Sequence, residues 1–484
     1  RSEFESNTDK DAIVFDCDIF VGHGQFAARC EGIEIGPDNE QAMLQSVQPN
    51  VQDWKYEISW QSAAGVASVP IESRTWLILA DRHGVGHSLA CQLRQKRQVC
   101  LLLTPGDNFA RISDEQFTVR PSEQQDFDRA FDVVSESGQP PFGGVVSFWA
   151  LDTHLDSQIA GSELVQMQRA ICDSTTHVVR ALFEGQWSTV PRLWLVSQGA
   201  IDTGSDKTIS LLQTPLWGLG RGIAREHPEL QPSLVDIGTG QASDISMLVD
   251  SLLSRDEESQ VAFRSGQRYV SRLQNVSAGQ IGDGQKSIRG DGTYLLTGGL
   301  GGLGLQAATW LASQGARHMV LVGRREPNAD AQKVIQALQG NGVEVLVRSA
   351  DVSNLEDVRQ LTKEISDTQP TLRGVFQLAG LLDNGLLLEL DWSRFESVMA
   401  PKVAGTWNLH LATEHLPLDF FVCFSSVGSQ VGTTGQANYS CANAFMDGFA
   451  HYRQKLGLPT TSISWGPWEN VGMSARRVPS RSKQ

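Results

Sequence analysis

Thr293-Tyr-Leu-Leu-Thr297-Gly-Gly-Leu-Gly-Gly-Leu-Gly304 is the stretch on which the fold turns. A short β-rich run enters a glycine-dense turn, and an apolar helical pattern over residues 303–314 follows, ended by Gly315. Strand, glycine turn and helix in that order can hold the pyrophosphate of a dinucleotide. Gly299 is expected to permit the tight turn and Gly301 to let backbone approach the pyrophosphate. Gly304 is expected to allow close helix–strand packing. The helix starting near Leu303 then points its first amides at phosphate, with Thr297 and Leu300 in the same loop.

Outward from that stretch, strand and helix signals alternate. Residues 317–322 read as a strand, ended by Gly323-Arg324-Arg325. A helix is expected around 329–338, a strand over 343–349, a helix over 355–365 and a strand over 372–378. Residues 420–425 form an apolar strand, 437–456 a helix and 460–465 a last strand. Buried strands alternating with helices predict an α/β fold with a doubly wound parallel sheet.

The first half carries a thinner version of the same plan. Residues 76–80 run into Gly84-Val-Gly86, and Gly143-Gly-Val-Val-Ser-Phe-Trp149 resembles Gly374-Val-Phe-Gln-Leu378. Leu193-Trp-Leu-Val-Ser-Gln198-Gly199 resembles Phe421-Val-Cys-Phe-Ser-Ser426-Val-Gly428. Pro232-Ser-Leu-Val-Asp236 stands where Thr460-Thr-Ser-Ile-Ser464 stands later. Their shared order implies an internal duplication with a period of roughly 230 residues. Two Rossmann-like subdomains are therefore expected, the first a degenerate structural copy and the second catalytic. Gln198 replaces Ser426, and no tyrosine between Tyr56 and Tyr269 matches Tyr439. The expected boundaries are 1–46 for an N-terminal β segment, 47–285 for the structural copy and 286–484 for the catalytic one. Residues 11–20 and 25–35 read as strands, and the polar stretch 271–292 as a linker.

Composition bounds the function. The 484 residues suffice for two or more domains, and a hydrophobic content of 40% is that of a globular protein. No apolar run is long enough to cross a membrane. Arg1-Ser-Glu-Phe4 lacks an apolar signal core, so a cytoplasmic chain, or an excised fragment, is expected. Seven scattered cysteines without a CxxC pair read as reduced thiols. His83 and His87 flank Gly84 and Gly86, a poor helix, and no metal is expected. The net charge of −15 argues against nucleic acid. Arg476, Arg477, Arg481 and Lys483 fit either a local patch for an acidic partner or a solvated terminus.

Further residues carry chemistry. Arg324 and Arg325 end the second strand, where an acid would suit the ribose of NAD. Two guanidiniums suit a 2′-phosphate and point to NADPH. Asp351-Val352 fits either a cover for adenine or, through Asp351 or Ser353, a helix N-cap. Ser426 ends an apolar strand at the carboxyl edge, where ligands sit in open α/β sheets. Tyr439 opens the next helix, and Asn443 shares its face four residues on. A free phenol titrates at about 10 and is a sluggish proton donor near neutrality. An ammonium beside it favours the phenolate, and Lys402 in Met399-Ala-Pro-Lys-Val-Ala-Gly405 is the candidate.

On these residues the chain resembles a ketoreductase of a modular polyketide synthase, within the short-chain dehydrogenase/reductase superfamily. The resemblance covers about residues 50–475. It rests on Thr297 to Gly304, Gly323-Arg-Arg325, Gln377-Leu-Ala-Gly-Leu-Leu-Asp-Asn384, Lys402, Ser425-Ser426, Gln436-Ala-Asn-Tyr-Ser-Cys-Ala-Asn443 and Trp465-Gly-Pro-Trp468. Ordinary superfamily members carry lysine four residues after the tyrosine. Asn443 there, with lysine upstream, points to the synthase branch, which also pairs a structural with a catalytic copy.

The resemblance implies NADPH-dependent reduction of a β-ketoacyl chain on an acyl carrier protein, with neighbouring synthase domains as partners. It implies that Tyr439 protonates the carbonyl oxygen beside Ser426, and that Lys402 and Asn443 orient and tune the tyrosine. Ala379 and Gly380 join the cofactor site. Leu382, Asp383, Asn384, Val431 and Cys441 are the implied stereocontrol positions. Val431 where one class has tryptophan, and Leu-Asp-Asn where the other has Leu-Asp-Asp, point to the D (3R-type, B-type) alcohol. Cys441 replaces a proline that marks a subclass for α-substituted products. Gln377 stands where the family often has histidine, and the chain stops soon after Met473, where relatives continue into a lid. Phe15-Asp-Cys-Asp18 and Ala27-Ala-Arg-Cys-Glu-Gly-Ile-Glu34 resemble the last strands of a synthase dehydratase. The rival readings are a catalytically silent ketoreductase scaffold and a free-standing carbonyl reductase.

Overall fold

The computed structural model describes residues 13–21, 25–35, 55–66, 72–136, 140–156, 159–185, 187, 190–238, 242–254, 256–276, 287–468 and 471–472. Residues 1–58 with 273–284 form one compact unit, and 59–272 with 285–484 another. The first contains an antiparallel hairpin of Ile13–Val21 (β1) and Gln25–Ile35 (β2), on the segments expected to be strands. Residues 277–286 of the expected linker, the basic tail and everything beyond 472 lie outside the described residues.

Two sheets lie in the second unit, apart from Tyr56 to Ile58 and Leu273 to Asn275 at the ends of two strands. One comprises Tyr56–Ala63 (β3), Thr75–Leu79 (β4), Val99–Pro105 (β5), Ala110–Arg111 (β6), Gln116–Val119 (β7), Phe142–Ser147 (β8), Arg192–Gln198 (β9), Ser233–Ile237 (β10), Gln260–Arg264 (β11) and Gln267–Asn275 (β12). The other comprises Thr293–Thr297 (β13), His318–Gly323 (β14), Glu344–Ser349 (β15), Leu372–Gln377 (β16), Phe420–Ser426 (β17) and Thr461–Trp465 (β18). The central orders are β7-β5-β4-β8-β9-β10 and β15-β14-β13-β16-β17-β18. Counted from the strand before the first turn, both read 3-2-1-4-5-6, the order of doubly wound dinucleotide folds. Every pairing in these two runs is parallel.

The duplication extends to an irregularity. Register against the fourth strand slips at Thr75/Trp76 in one copy and at Thr293/Tyr294 in the other. At that point the hydroxyl of Thr75 donates to Pro140 O (2.9 Å) and that of Thr293 to Pro370 O (2.6 Å). Gly144, not Gly143, is the partner of Gly374, since they pair with Trp76 and Tyr294 respectively.

The helices are Val85–Gln95 (α1), Gln124–Glu136 (α2), Gly161–Glu184 (α3), Pro215–Glu226 (α4), Ala242–Leu252 (α5), Gly302–Ser313 (α6), Ala329–Gly340 (α7), Leu355–Thr368 (α8), Trp392–Met399 (α9), Gly405–Thr413 (α10), the single turn Gly428–Val431 (α11) and Ala437–Lys455 (α12). Local sequence explains them. α8 turns Val358, Leu361 and Ile365 inward, and Asn354 caps it by accepting from Glu356 N and Asp357 N. Sequence periodicity missed α9 and α10, because Pro401 falls between them. Pro401 has no N–H to donate to the preceding turn, and the chain widens into a π turn over Ala400–Ala404. No helix among the described residues is long and apolar enough to cross a membrane.

The two copies share a core. One apolar cluster contains Leu164 and Trp217 of the first and Ala437 and Phe445 of the second. Burying each such large side chain contributes about 1.5–3 kcal/mol. α4 and α12 meet through glycine: a Cβ on Gly218 would stand 2.2 Å from Ser440 O.

Beside this core, Arg453 Nη1 donates to His410 Nδ1 (2.9 Å), so the imidazole is neutral. Burial first, and the Arg453 charge second, push His410 down to about 3. Among the described residues, Glu414, 3.4 Å from the other ring nitrogen, is its one acidic neighbour in an ion-pair contact. The unfolded chain, with His near 6.5, binds this proton first. Stability should therefore fall as pH drops below about 6.5, by about 2 kcal/mol between pH 7 and 5 from this group alone. Urea midpoints at the two pH values check this, and a His410→Gln variant that kept the full slope would contradict it.

Candidate active site

The turn after β13 is built by close approaches. Gly298 has φ +63°, and a Cβ there would meet Ala379 N at 2.9 Å. The left-handed turn therefore falls on Gly298, one residue before the expected Gly299. Gly299 is constrained by space instead, its Cβ site lying 2.7 Å from Leu296 O. A Cβ on Gly304 would lie 2.4 Å from Gly298 O, so this glycine does set helix–turn packing. Gly301 begins α6 with no side-chain cap, and a Cβ there meets only Gly298 O, at 3.3 Å. Thr297 is buried; its hydroxyl donates to Gln377 Oε1 and accepts from Leu378 N and Ala379 N. It ties β13 to the loop after β16.

The first copy fills the same place with its own anion. Asp81 lies two residues past β4, as Gly299 lies two past β13. Its Oδ1 accepts from Gly86 N (2.7 Å), and its Oδ2 from His83 N (2.9 Å) and Val85 N (3.2 Å). A carboxylate thus satisfies the first amides of α1, the place an external phosphate takes at such a terminus. α6 has no such side chain, so its residues fit a dinucleotide and those of α1 do not. Among the described residues, no group of three or more His, Cys, Asp or Glu is placed to hold a metal ion.

A cleft of about 120 Å³ gathers Gly298, Arg324, Asp351, Val352, Ala379 and Gly380. Five of these are sequence-predicted cofactor residues. Arg324 and Arg325 are exposed past β14, while Leu300 packs over Gly323 and Leu303 lies beside Gly472. The helix-cap alternative for Asp351 and Ser353 falls away, because Asn354 is the cap. Asp351 Oδ1 instead accepts from Ser353 N (3.0 Å) and Oγ (2.7 Å).

The residues expected to deliver the proton come from three elements. Ser426 ends β17, Tyr439 lies in the first turn of α12, and Lys402 sits in the π turn. Lys402, 2% exposed, donates from Nζ to Phe424 O (3.0 Å) and lies 5.2 Å from the centre of the Tyr439 ring. That places a buried cation over the face of the phenol. Gln377 helps hold the π turn: its Nε2 donates to Pro401 O (2.6 Å). Asn443 Nδ2 donates back to Tyr439 O (2.7 Å), and its buried Oδ1 has no partner. Ser426 Oγ accepts from Gly428 N (3.2 Å). The turn behind it is held by Asp447, which accepts from Ser429 Oγ (2.5 Å) and Gln430 Nε2 (2.8 Å).

The positions expected to control stereochemistry separate. Asp383 Oδ1 accepts from Arg394 Nε (3.0 Å) and Nη2 (2.7 Å), and Arg394 also reaches Asn384 O (2.5 Å). Asn438, next to Tyr439, donates to Asp383 O (2.8 Å) and accepts from Tyr439 N (2.8 Å). This loop is therefore tied to the start of α12. Val431 is exposed on α11. Cys441 faces the other way: fully buried, it contacts the Cys172 thiol of α3, and burial pushes its own thiol well up. Gln377 and Asn438 stood inside motifs read from the sequence, but their structural roles did not; Arg394 and Asp447 carried no local signal.

The KR domain family matches residues 292–470, and the Rossmann fold domain of polyketide synthase extender module SpnB matches residues 114–273. Polyketide synthase GfsA of Streptomyces halstedii is 34% identical over 445 residues, 88% of this chain and 6% of that protein. A phenolphthiocerol/phthiocerol polyketide synthase polypeptide of Mycobacterium tuberculosis is 34% identical over 352 residues, 72% of this chain and 19% of that protein. The chain thus spans under a fifth of the length of either. A solved A1-type ketoreductase matches with TM-score 0.75 at 27% identity, covering 87% of this chain and 84% of that one. A C2-type ketoreductase from a modular polyketide synthase matches with TM-score 0.73 at 26% identity, covering 88% of each. With two Rossmann-like copies, one plugged by Asp81 and one that carries an open cleft together with Lys402, Ser426 and Tyr439, the chain belongs to the ketoreductases of polyketide synthases, oxidoreductases that use a nicotinamide cofactor.

Proposed function

We propose that this chain reduces a β-ketoacyl thioester on an acyl carrier protein to the β-hydroxyacyl thioester, using NADPH and giving the D (3R-type) alcohol. The observation that carries the reading is buried Lys402, 5.2 Å from the Tyr439 ring and hydrogen-bonded to Phe424 O on the strand that Ser426 ends, in a sheet whose first helix has no side-chain bond at its N-cap residue. The backbone of Gly298 to Leu303 would hold the pyrophosphate. Arg324 and Arg325 would hold the 2′-phosphate, Asp351 and Val352 the adenine, and Ala379 and Gly380 the inner wall. NADPH, when bound, supplies the hydride to the β-carbon. Tyr439 gives its phenolic proton to the carbonyl oxygen as charge gathers there, and Ser426 donates a hydrogen bond to the same atom. The Lys402 ammonium stabilises the phenolate left behind, and Asn443 holds the backbone carrying the ring.

Residues 47–285 are the structural and 286–484 the catalytic subdomain in this reading, with 1–46 the end of a dehydratase and the other synthase domains as neighbours. The unpatterned cysteines favour a cytoplasmic setting.

The test follows reduced-nicotinamide absorbance with a β-ketoacyl thioester mimic, NADPH against NADH. NADPH should be preferred by ~100-fold in kcat/KM. Replacing both Arg324 and Arg325 by Ala should erase at least ~10-fold of that preference through the KM for NADPH, since each charged hydrogen bond is worth about 1.5–3 kcal/mol. Chiral chromatography of the product reads the configuration. NADPH binding without turnover would favour the silent scaffold; turnover of free ketones alone would favour the free-standing reductase.

A further inference from the structure

Three side chains near the end of α4, in the non-catalytic copy, reach backbone groups that flank the candidate active site. Arg221, itself buried, donates from Nη1 to Ser429 O (2.6 Å), and Arg225 from Nε to Val431 O (2.8 Å). Both acceptors lie on the turn after Ser426. The Glu226 carboxylate accepts two amides at once: Leu387 N on Oε2 (2.6 Å) and Gly435 N on Oε1 (2.9 Å). Leu387 lies three residues past Asn384, and Gly435 four residues before Tyr439. Gly385 N also donates to Gly435 O (3.0 Å), so the two loops are joined directly and again through Glu226.

We propose that Glu226 is a positioning residue for the reduction: its carboxylate fixes the separation of the two loops flanking Ser426 and Tyr439, and so the face of the ketone offered to hydride. The loop before Tyr439 contains two left-handed glycines, Gly432 (φ +70°) and Gly435 (φ +71°), and lacks a strand ladder of its own. Its shape depends on what grips it. A Cβ on Gly432 would stand 2.1 Å from Arg221 O, so the loop runs directly against α4. α4 in turn is anchored by Trp217 and Ile223 in the shared core, which makes it a rigid mount. Hydrogen bonds to a carboxylate are roughly twice as strong as neutral ones. Glutamine cannot substitute, because its NH2 would face one of the two amides. The inference rests on the proposed reduction for its stereochemical readout, but not for its structural one.

The experiment compares Glu226→Gln and Glu226→Ala with Lys455→Met. The last variant cuts an ion pair to Asp202 (2.8 Å) across the same interface, away from both loops. First, amide hydrogen exchange is measured on the whole chain. Peptides covering 385–388 and 432–437 should exchange at least ~10-fold faster in both Glu226 variants, with the β13–β16 region unchanged. Second, with the thioester mimic, kcat should fall ~10-fold or more and the product should lose stereochemical purity, while NADPH affinity holds. Glu226→Asp should restore part of the purity. Unchanged exchange in both loops of the Gln and Ala variants would overturn the proposal, as would Lys455→Met reproducing both effects. If the unsubstituted chain reduces no thioester, the functional reading falls and the exchange result alone decides the clamp.

Discussion

Tyr439→Phe should lower kcat for thioester reduction by about 10²–10⁴-fold while leaving NADPH affinity within about twofold. The substitution removes one oxygen. The half-buried ring still packs against the shared core, and Lys402 Nζ still lies over its face. Folding and cofactor binding are therefore kept, and what disappears is the proton that the carbonyl oxygen must receive. Ser426 remains as a hydrogen-bond donor to that oxygen, so residual turnover from hydride delivery and polarisation is expected. Single-turnover absorbance with bound NADPH separates this chemical step from product release. Activity within tenfold of the unsubstituted chain would move the proton source elsewhere and leave the silent-scaffold reading to be judged on Ser426 and Lys402.

Gly304→Ala should be nearly as damaging, by another route. Its methyl would stand 2.4 Å from Gly298 O and 2.5 Å from Gly299 Cα. Both neighbours are backbone, so no side chain can rotate away, and α6 must lift from the turn. Overpacking of this kind costs about 1–3 kcal/mol, and the displaced amides no longer meet at one point. NADPH affinity, read by fluorescence, should fall ~100-fold or more, with a lower Tm. Gly340→Ala is the control, since a Cβ there meets nothing within 4 Å. Equal effects of the two substitutions would mean that the turn does not depend on that contact.

These expectations were legible in part because the carrying segments are local. Strands such as β13 and β16 are buried along nearly their whole length, so their apolar runs mark both ends within a residue or two. The glycine turn was legible as a turn but not in its geometry. Which of Gly298 and Gly299 goes left-handed depends on Ala379, 81 residues away from Gly298 in sequence. Lys402 was picked out by its motif, yet the π turn that presents it was not, because a proline within helical sequence reads as a break. Glu226, Arg394 and Asp447 had no signal at all. Each acts on groups brought near only by tertiary folding, 161 residues apart for Glu226 and Leu387. Periodicity reports neighbours along a helix or strand and is silent on such pairs.

Asp81 has a consequence for how many ligands the chain can hold. A covalently attached carboxylate is present at the α1 terminus at an effective concentration that a diffusing nucleotide in the cell does not match. The first copy is therefore self-occupied. Restoring a serine at Gln198 and a tyrosine on α4 would not revive it. Of the two Rossmann-like copies, one keeps an open helix terminus, and the plugged one is free to serve as framework.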